Sequence, residues 1–369
     1  MINREKLAAQ LELERRRYVS QHRKSMEKKA ERSGVLLYNA PMNWMQQWPL
    51  EVPITVERGE KHKVIDADGN EYIDFCLGYS AAFPGHGSRE VAKALHETMS
   101  GGMVYTMPSV LDAETGARLK ERFGQDYWGF ALSATDANRF IIKLCREITG
   151  RKKILVFNGC YHGTVFIIDE AHTITYDYRG YAKKHALKPD VLILGKCIGG
   201  GFPVGLYGVS KSIRDRIDGI IRVEYSDTSG IGGTMTGSVM AMAGIKAALT
   251  YELTESNYRK AIQNTDFIVD GLRKIIAGEK LGWSIVSLGA RFDIWFAEKP
   301  GINAAEAFAC HDGDLYEYVF TALVNRGYIM SPYWNILASV SPYLTEAECK
   351  EFLTAFHDVV EVLLQTDNQ

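Results

Sequence analysis

Residues 166–208 read FIIDEAHTITYDYRGYAKKHALKPDVLILGKCIGGGFPVGLYG, and this stretch decides the fold. Two short apolar runs each end at one charged residue. Phe166-Ile167-Ile168 stops at Asp169, and Val191-Leu192-Ile193-Leu194 stops at Lys196. Such runs, bounded by polar and Gly-rich segments, predict buried parallel strands. The segment from Glu170 to Pro189 is long enough for a crossover connection. In open α/β sheets, ligands bind just beyond the carboxyl ends of the strands. Asp169 and Lys196 are therefore expected on one rim.

A Lys at a strand end in apolar, Gly-rich surroundings suits amine chemistry. Desolvation disfavours the ammonium and frees the amine to attack an aldehyde. Pyridoxal phosphate (PLP) requires such a Lys, together with an acid beside its ring nitrogen, and Asp169 is the candidate acid. A strand-end Asp and Lys that face solvent or pair with each other would look the same in sequence, so the rest of the chain has to decide.

With 369 residues the chain suits two domains, or a large domain with a small one appended. A net charge of −2 gives no reason to expect nucleic acid or an acidic membrane as a partner. The six cysteines (Cys76, Cys145, Cys160, Cys197, Cys310, Cys349) show no CxxC spacing, so neither a disulfide framework nor a metal site is expected. A reducing cytoplasm fits. No apolar run approaches the roughly 20 residues of a membrane span, and the N-terminus lacks the apolar core of a signal peptide.

Residues 1–32 hold ten Lys or Arg against five Asp or Glu and predict one solvated helix. Residues 36–54 read as an extended arm. Residues 54–76 alternate around Asp68-Gly69-Asn70, a hairpin signal in which the acids are turn formers. His86 could face a ligand, although a histidine at a helix start is the simpler reading. Val91, Leu95 and Met99 predict an amphipathic helix, and a second is expected over 110–123. Trp128 to Leu132 reads as a strand, and Ser133-Ala134-Thr135-Asp136 then opens a helix that runs to Gly150. A strand followed by a Ser/Thr loop and a helix N-terminus is a ready anion site. Plain capping by Ser133 or Thr135 is the competing reading. A further strand is expected over 154–157, ahead of Tyr161, whose ring could stack on a flat cofactor or simply fill the core.

Beyond Lys196 a strand over 204–209 and a Gly/Thr loop around Thr234 are expected, then a helical run over 238–252. From there the pattern predicts helices near 256–277 and 312–326, strands near 284–297 and 328–341, and a last helix opened by the capping box Thr345-Glu346-Ala347-Glu348.

Taken together, these segments resemble the class III (subgroup II) aminotransferases among fold-type I PLP enzymes, within them the glutamate-1-semialdehyde aminomutase-like branch. VIDADGNEYIDF resembles the family's N-terminal hairpin, SATDANR its phosphate loop and NGCYHG its ring-stacking motif. IIDEAHT with LGKCIGGGFPVG resembles the Asp and Schiff-base Lys signature, and GGTMTGS the Gly-Thr loop. The resemblance implies an α/β fold with a mostly parallel, here shortened, central sheet and a smaller α+β domain from the two chain ends. It divides the chain into 1–85, 86–255 and 256–369. It implies an internal aldimine on Lys196, Asp169 at the ring nitrogen, and Tyr161 with His162 at the ring. Ser133, Ala134 and Thr135 would hold the phosphate, with Thr234 from the other subunit of a cytoplasmic homodimer. The activity implied is amino transfer between an amino acid or amine and a keto acid. An aminomutase, or a shortened PLP-binding homologue with little catalysis, is the alternative.

Three departures stand out. The phosphate loop has Ala134 and Asp136 where the family usually has Gly and Glu. The segment SPYWNILASVSP lacks the Arg that often binds a substrate carboxylate, and Arg139 and Arg291 are possible substitutes. Most severe, the chain passes almost directly from Gly163 to Phe166, where the family has about two further strand–helix units. Eight residues from Tyr161 to Asp169 reach at most about 28 Å. The region must therefore be rearranged, completed by a partner, or unable to form the site.

Overall fold

The computed structural model describes residues 2–36, 39–105, 107–154, 165–219, 231–332 and 335–364. The chain divides into two compact units, one of residues 1–79, 84–87 and 259–369, the other of residues 80–83 and 88–258.

The first unit opens with α1 (Arg4–Gln21) and α2 (Arg23–Ser33) rather than one helix. His22 makes the break. Its ring is buried, with Nδ1 2.6 Å from Tyr18 O and Nε2 2.6 Å from the Tyr72 hydroxyl. The predicted meander forms as β1 (Val56–Glu60), β2 (Lys63–Asp66) and β3 (Glu71–Asp74), all antiparallel. Its turn does more than reverse the chain. Asp68 accepts the Lys24 and Ser25 N–H groups, and Asn70 donates to Gln21 O, so the turn caps both helix ends at the break. Basic residues in α1 and α2 give no hint of this, because the partners lie over forty residues away. His86 does not begin a helix contact. Its Nε2 lies 2.7 Å from the buried Asp74 carboxylate.

The second unit holds the predicted helices α3 (Arg89–Gly101) and α4 (Asp112–Phe123), then β4 (Tyr127–Ala131) and α5 (Ala134–Thr149). The strand expected over 154–157 falls, from residue 155 on, outside the described residues. Next come β5 (Ile167–Asp169), α6 (Tyr181–Lys184), β6 (Val191–Leu194), β7 (Gly205–Val209), α7 (Lys211–Asp218) and α8 (Val239–Ala247). A π-turn over Ala248–Glu252 ends the predicted 238–252 run. The sheet order is β4-β7-β6-β5. β5 and β6 are parallel, with Ile167 opposite Val191 and Asp169 opposite Ile193. β7 is antiparallel to both β6 and β4, so β4, β6 and β5 all run one way. Val191 to Leu194 are fully buried, as expected. Ile167 and Ile168 are only half-buried, because among the described residues β5 is an edge strand. α5 covers β6 and β7 with Phe140, Ile141 and Leu144, its helical apolar face.

The first unit resumes within α9 (Glu255–Gly278) and continues through β8 (Ser284–Ser287), β9 (Arg291–Trp295), α10 (Ala304–Ala309) and α11 (Gly313–Val324). It ends with β10 (Tyr328–Ile329), β11 (Ser331–Pro332), β12 (Ile336–Ser339) and α12 (Glu346–Leu364). β10 extends the N-terminal meander by pairing parallel to β3, while β11, β12, β9 and β8 form a separate antiparallel sheet. The capping box closes as read. Glu348 Oε2 accepts the Thr345 N–H at 2.9 Å, and Thr345 Oγ1 accepts the Glu348 N–H at 3.2 Å. Among the described residues no helix is long and apolar enough to cross a membrane.

Candidate active site

The strand directions build the site. The carboxyl ends of β4, β5 and β6 lie along one rim of the sheet, which also receives the amino end of β7. Asp169, Lys196 and the N-terminus of α5 therefore stand on that rim. Two glycines set how closely they approach. A Cβ on Gly195 would stand 2.8 Å from Ala134 Cβ. A Cβ on Gly205 would stand 2.1 Å from the Ser133 carbonyl. The residue before Lys196 and the start of β7 thus press directly on the first turn of α5.

Lys196 is half-buried and begins a 3-10 turn, Lys196–Gly199. Its φ of 56° lies in the left-handed region, where a side chain is rarely found. Such backbone persists where the surroundings over-determine it, and it concentrates at functional positions. The following residues are anchored. Cys197 and Ile198 are buried, and burial pushes the Cys197 thiol up to about 12. Lys196 is thus the half-buried member of a turn otherwise sunk in the core.

At α5 the capping reading of the Ser/Thr loop is the one the hydrogen bonds show. Ser133 is the cap. Its Oγ accepts the Asp136 N–H at 3.1 Å and donates to the Asp136 carboxylate at 2.8 Å. The first intrahelical bond runs from Ala137 N to Ser133 O. The N–H groups of Ala134 and Thr135 therefore lie outside the helix's own ladder, at the positive end of its dipole. The hydroxyl of Ser133 is committed to the cap.

Asp169 is exposed, and its carboxylate is held at both oxygens. Oδ1 accepts the Ala171 N–H at 2.8 Å, and Oδ2 accepts from Asn138 Nδ2 at 2.7 Å. Behind it, Glu170 points inward and is fully buried. Its carboxylate accepts the N–H groups of Tyr181 and Ala182 at 2.7 and 2.6 Å, which caps α6. Burial raises the Glu170 pKa, and those two N–H donors oppose the shift. Arg122, also buried, secures the same segment. Nε donates to Tyr178 O at 2.8 Å, Nη1 donates to Leu253 O at 2.7 Å, and the guanidinium lies 4.2 Å from the Tyr178 ring centre.

Sequence reasoning did not find Asn138, Glu170 or Arg122. Asn138 carried a signal, because it lies one helical turn into α5 from the proposed phosphate loop. Glu170 and Arg122 carried none, since their partners are backbone groups distant in sequence. Of the other expected residues, Thr234 is exposed on the turn before α8. Tyr161 and His162 lie outside the described residues. Arg139 is exposed and pairs with Asp136 at 3.5 Å. Arg291 belongs to β9, in the other unit.

The chain is similar in sequence and in fold to known proteins. The aminotransferase class-III family profile matches residues 44–169. A glutamate-1-semialdehyde 2,1-aminomutase of Anaeromyxobacter dehalogenans is 25% identical over 76% of this chain and 84% of its own length. A beta-phenylalanine transaminase of Variovorax paradoxus is 24% identical over 82% of this chain and 85% of its own. The crystal structure of a glutamate-1-semialdehyde aminomutase from Pseudomonas aeruginosa superimposes with a TM-score of 0.93. It shares 27% identity, and the match covers 98% of this chain and 100% of that one. A variant of that enzyme was solved in complex with PMP. Alignment to an aminomutase of Desulfitobacterium hafniense runs over 436 positions, more than this chain has residues, so that relative carries residues absent here. In the matched segment and in fold, this chain is similar to the class-III aminotransferases of fold type I, with glutamate-1-semialdehyde aminomutases among its most similar relatives.

Proposed function

We propose that the chain is a pyridoxal 5'-phosphate-dependent aminotransferase that moves an amino group between an amino acid or amine and a keto acid. One observation carries this reading: an amine, a doubly hydrogen-bonded carboxylate and a helix N-terminus with N–H groups outside its own ladder share one sheet rim. The donor set fits PLP, which has an aldehyde, a basic ring nitrogen and a dianionic phosphate. When bound, PLP supplies an electron sink for charge that develops at the amine-bearing carbon.

The chain's own residues then have separable tasks. The Ala134 and Thr135 N–H groups bind the phosphate at the positive end of α5, beside the Ser133 cap. Asp169 holds the proton at the ring nitrogen. Lys196 Nζ would hold the aldehyde end of the cofactor and would serve as the base and acid that moves the proton at the substrate carbon. Thr234 of the partner subunit adds a phosphate donor in a cytoplasmic homodimer. Tyr161 and His162 border the ring. In this reading residues 86–255 form the large cofactor-binding domain, and residues 1–85 and 256–369 contribute the small one.

An aminomutase would use the same groups without a second substrate, and the similarity to named aminomutases favours keeping that reading beside the first. The test is direct. The protein is loaded with PLP, stripped of excess, reduced with borohydride and digested, and the labelled peptide is mapped by mass. Label on Lys196, and bleaching of the visible band by an amino donor, support the proposal. A need for an added keto acid to complete turnover selects the transaminase. No retained cofactor, or label scattered over surface lysines, refutes both.

A further inference from the structure

We propose that Asn138 is a positioning residue for Asp169, so that the single helix α5 sets both ends of the bound cofactor. This inference rests on the PLP reading above and goes beyond it. Ser133, Ala134 and Thr135 occupy the first turn of α5, and Asn138 lies on the next. From there Asn138 Nδ2 reaches across to β5 and donates to Asp169 Oδ2 at 2.7 Å. The other oxygen of Asp169 is committed to the Ala171 N–H at 2.8 Å. With both oxygens engaged, the plane of the carboxylate is determined. The Ala171 bond is local, two residues along the same chain. The Asn138 bond is what refers that plane to α5 and hence to the phosphate end.

The position matters because β5 is short and lies at the edge of the described sheet. It is three residues long, and Asp169 is its last. A strand with one neighbour gives its terminal side chain less support than a central strand does. Asn138 supplies support from the helix side, where α5 is fixed by its Phe140, Ile141 and Leu144 face. A bond between two partly exposed groups contributes little to stability by itself. Its effect is expected where the orientation of the carboxylate counts, at the ring nitrogen of the cofactor.

The test compares PLP with 1-deaza-PLP, an analogue in which carbon replaces the ring nitrogen. Dissociation constants are measured by equilibrium dialysis for the full chain, for Asn138→Ala and for Asn138→Asp. Ala at this interior helix position has better helix propensity than Asn, so the fold is not at risk, and thermal unfolding checks this. Loss of a hydrogen bond to a charged group corresponds to about a 10- to 100-fold weakening. We expect that loss for PLP in Asn138→Ala, and a greater one in Asn138→Asp, where two carboxylates face each other. We expect neither variant to weaken the deaza analogue by more than about twofold, since the interaction at the ring nitrogen is then gone. Equal binding of PLP by the parent and Asn138→Ala overturns the inference and leaves the proposed function standing. Equal losses for both ligands also overturn it, since they would mean damage to the phosphate end. If the parent itself binds no PLP, the functional reading fails and takes this inference with it.

Discussion

Replacing Gly205 by Ala tests the closest contact on the rim. Gly205 opens β7 and pairs with Ala131. An added methyl would stand 2.1 Å from both the carbon and the oxygen of the Ser133 carbonyl, and 2.5 Å from Ala134 N. Carbon atoms pack at about 3.5–4.0 Å, so the overlap exceeds 1 Å. All three obstructing atoms are backbone, so no side chain can rotate away. Either β7 or the first turn of α5 must move. Over-packing a core usually costs about 1–3 kcal/mol, and a backbone obstruction belongs at the upper end or beyond, about 3 kcal/mol. A urea titration should show a midpoint lower by about 1–3 M, given slopes of about 1–3 kcal/mol per M. Because Ser133, Ala134 and Thr135 would move, retention of PLP should fall together with stability. Gly116→Ala provides the control. Gly116 lies inside α4 with nothing within 4 Å of its added Cβ, so Ala should stabilise by about 0.5–1 kcal/mol. If Gly205→Ala unfolds within about 0.5 kcal/mol of the parent and keeps the cofactor, the argument that β7 directly seats α5 is wrong.

Three further outcomes are expected. Glu170→Ala should lose about 2–4 kcal/mol in denaturant unfolding, because it leaves the Tyr181 and Ala182 N–H groups without an acceptor beside a buried void; a loss under about 0.5 kcal/mol would contradict this. Burial pushes the Asp293 carboxyl up to about 7, against the opposing influence of Asn335, Arg291 and Trp295. A carboxyl with a raised folded pKa contributes stability below its unfolded value near 3.9 and loses it as pH rises through about 7; Asp293→Asn should therefore gain more over the parent at pH 8 than at pH 5 in thermal unfolding. Burial would raise Glu348, but the Thr345 N–H, His62 and the Thr345 hydroxyl outweigh it and hold the group at about 2. Its contribution is present above the unfolded value near 4.3 and lost as pH falls toward 2, so Glu348→Gln should flatten the acid limb of the pH–stability curve.

What could be read from the sequence was local periodicity and its punctuation. β6, the helix after Ser133, the Asp68-Gly69-Asn70 turn and the Thr345 capping box all formed where expected, because each is specified within a few residues. Asp169 and Lys196 reached one rim because two parallel strands bring their carboxyl ends together. What could not be read depends on partners far along the chain. The break at His22 needs Tyr72 and the Asp68 turn. The inward turn of Glu170 needs α6, and the hold on Tyr178 needs Arg122 from α4. None of these residues differs in type from a surface Glu, His or Arg, so composition and spacing cannot separate them.

The order of the sheet also explains how a shortened chain can keep its rim. The shortening read after Gly163 lies directly before β5, and β5 ends the described sheet. The groups on the rim come from β4 and α5, from β6 with the turn that follows it, from the start of β7, and from the end of β5. These strands are contiguous in the order β4-β7-β6-β5, so strands lost beyond β5 would remove none of them. The change falls instead on β5, which among the described residues has one partner, half-buried isoleucines and an exposed Asp169. An acid in that setting depends on side-chain donors for its orientation more than one in a central strand would. Among the described residues its donors are Ala171 N–H and Asn138, and of these Asn138 belongs to α5, the helix whose N-terminus is the proposed phosphate site.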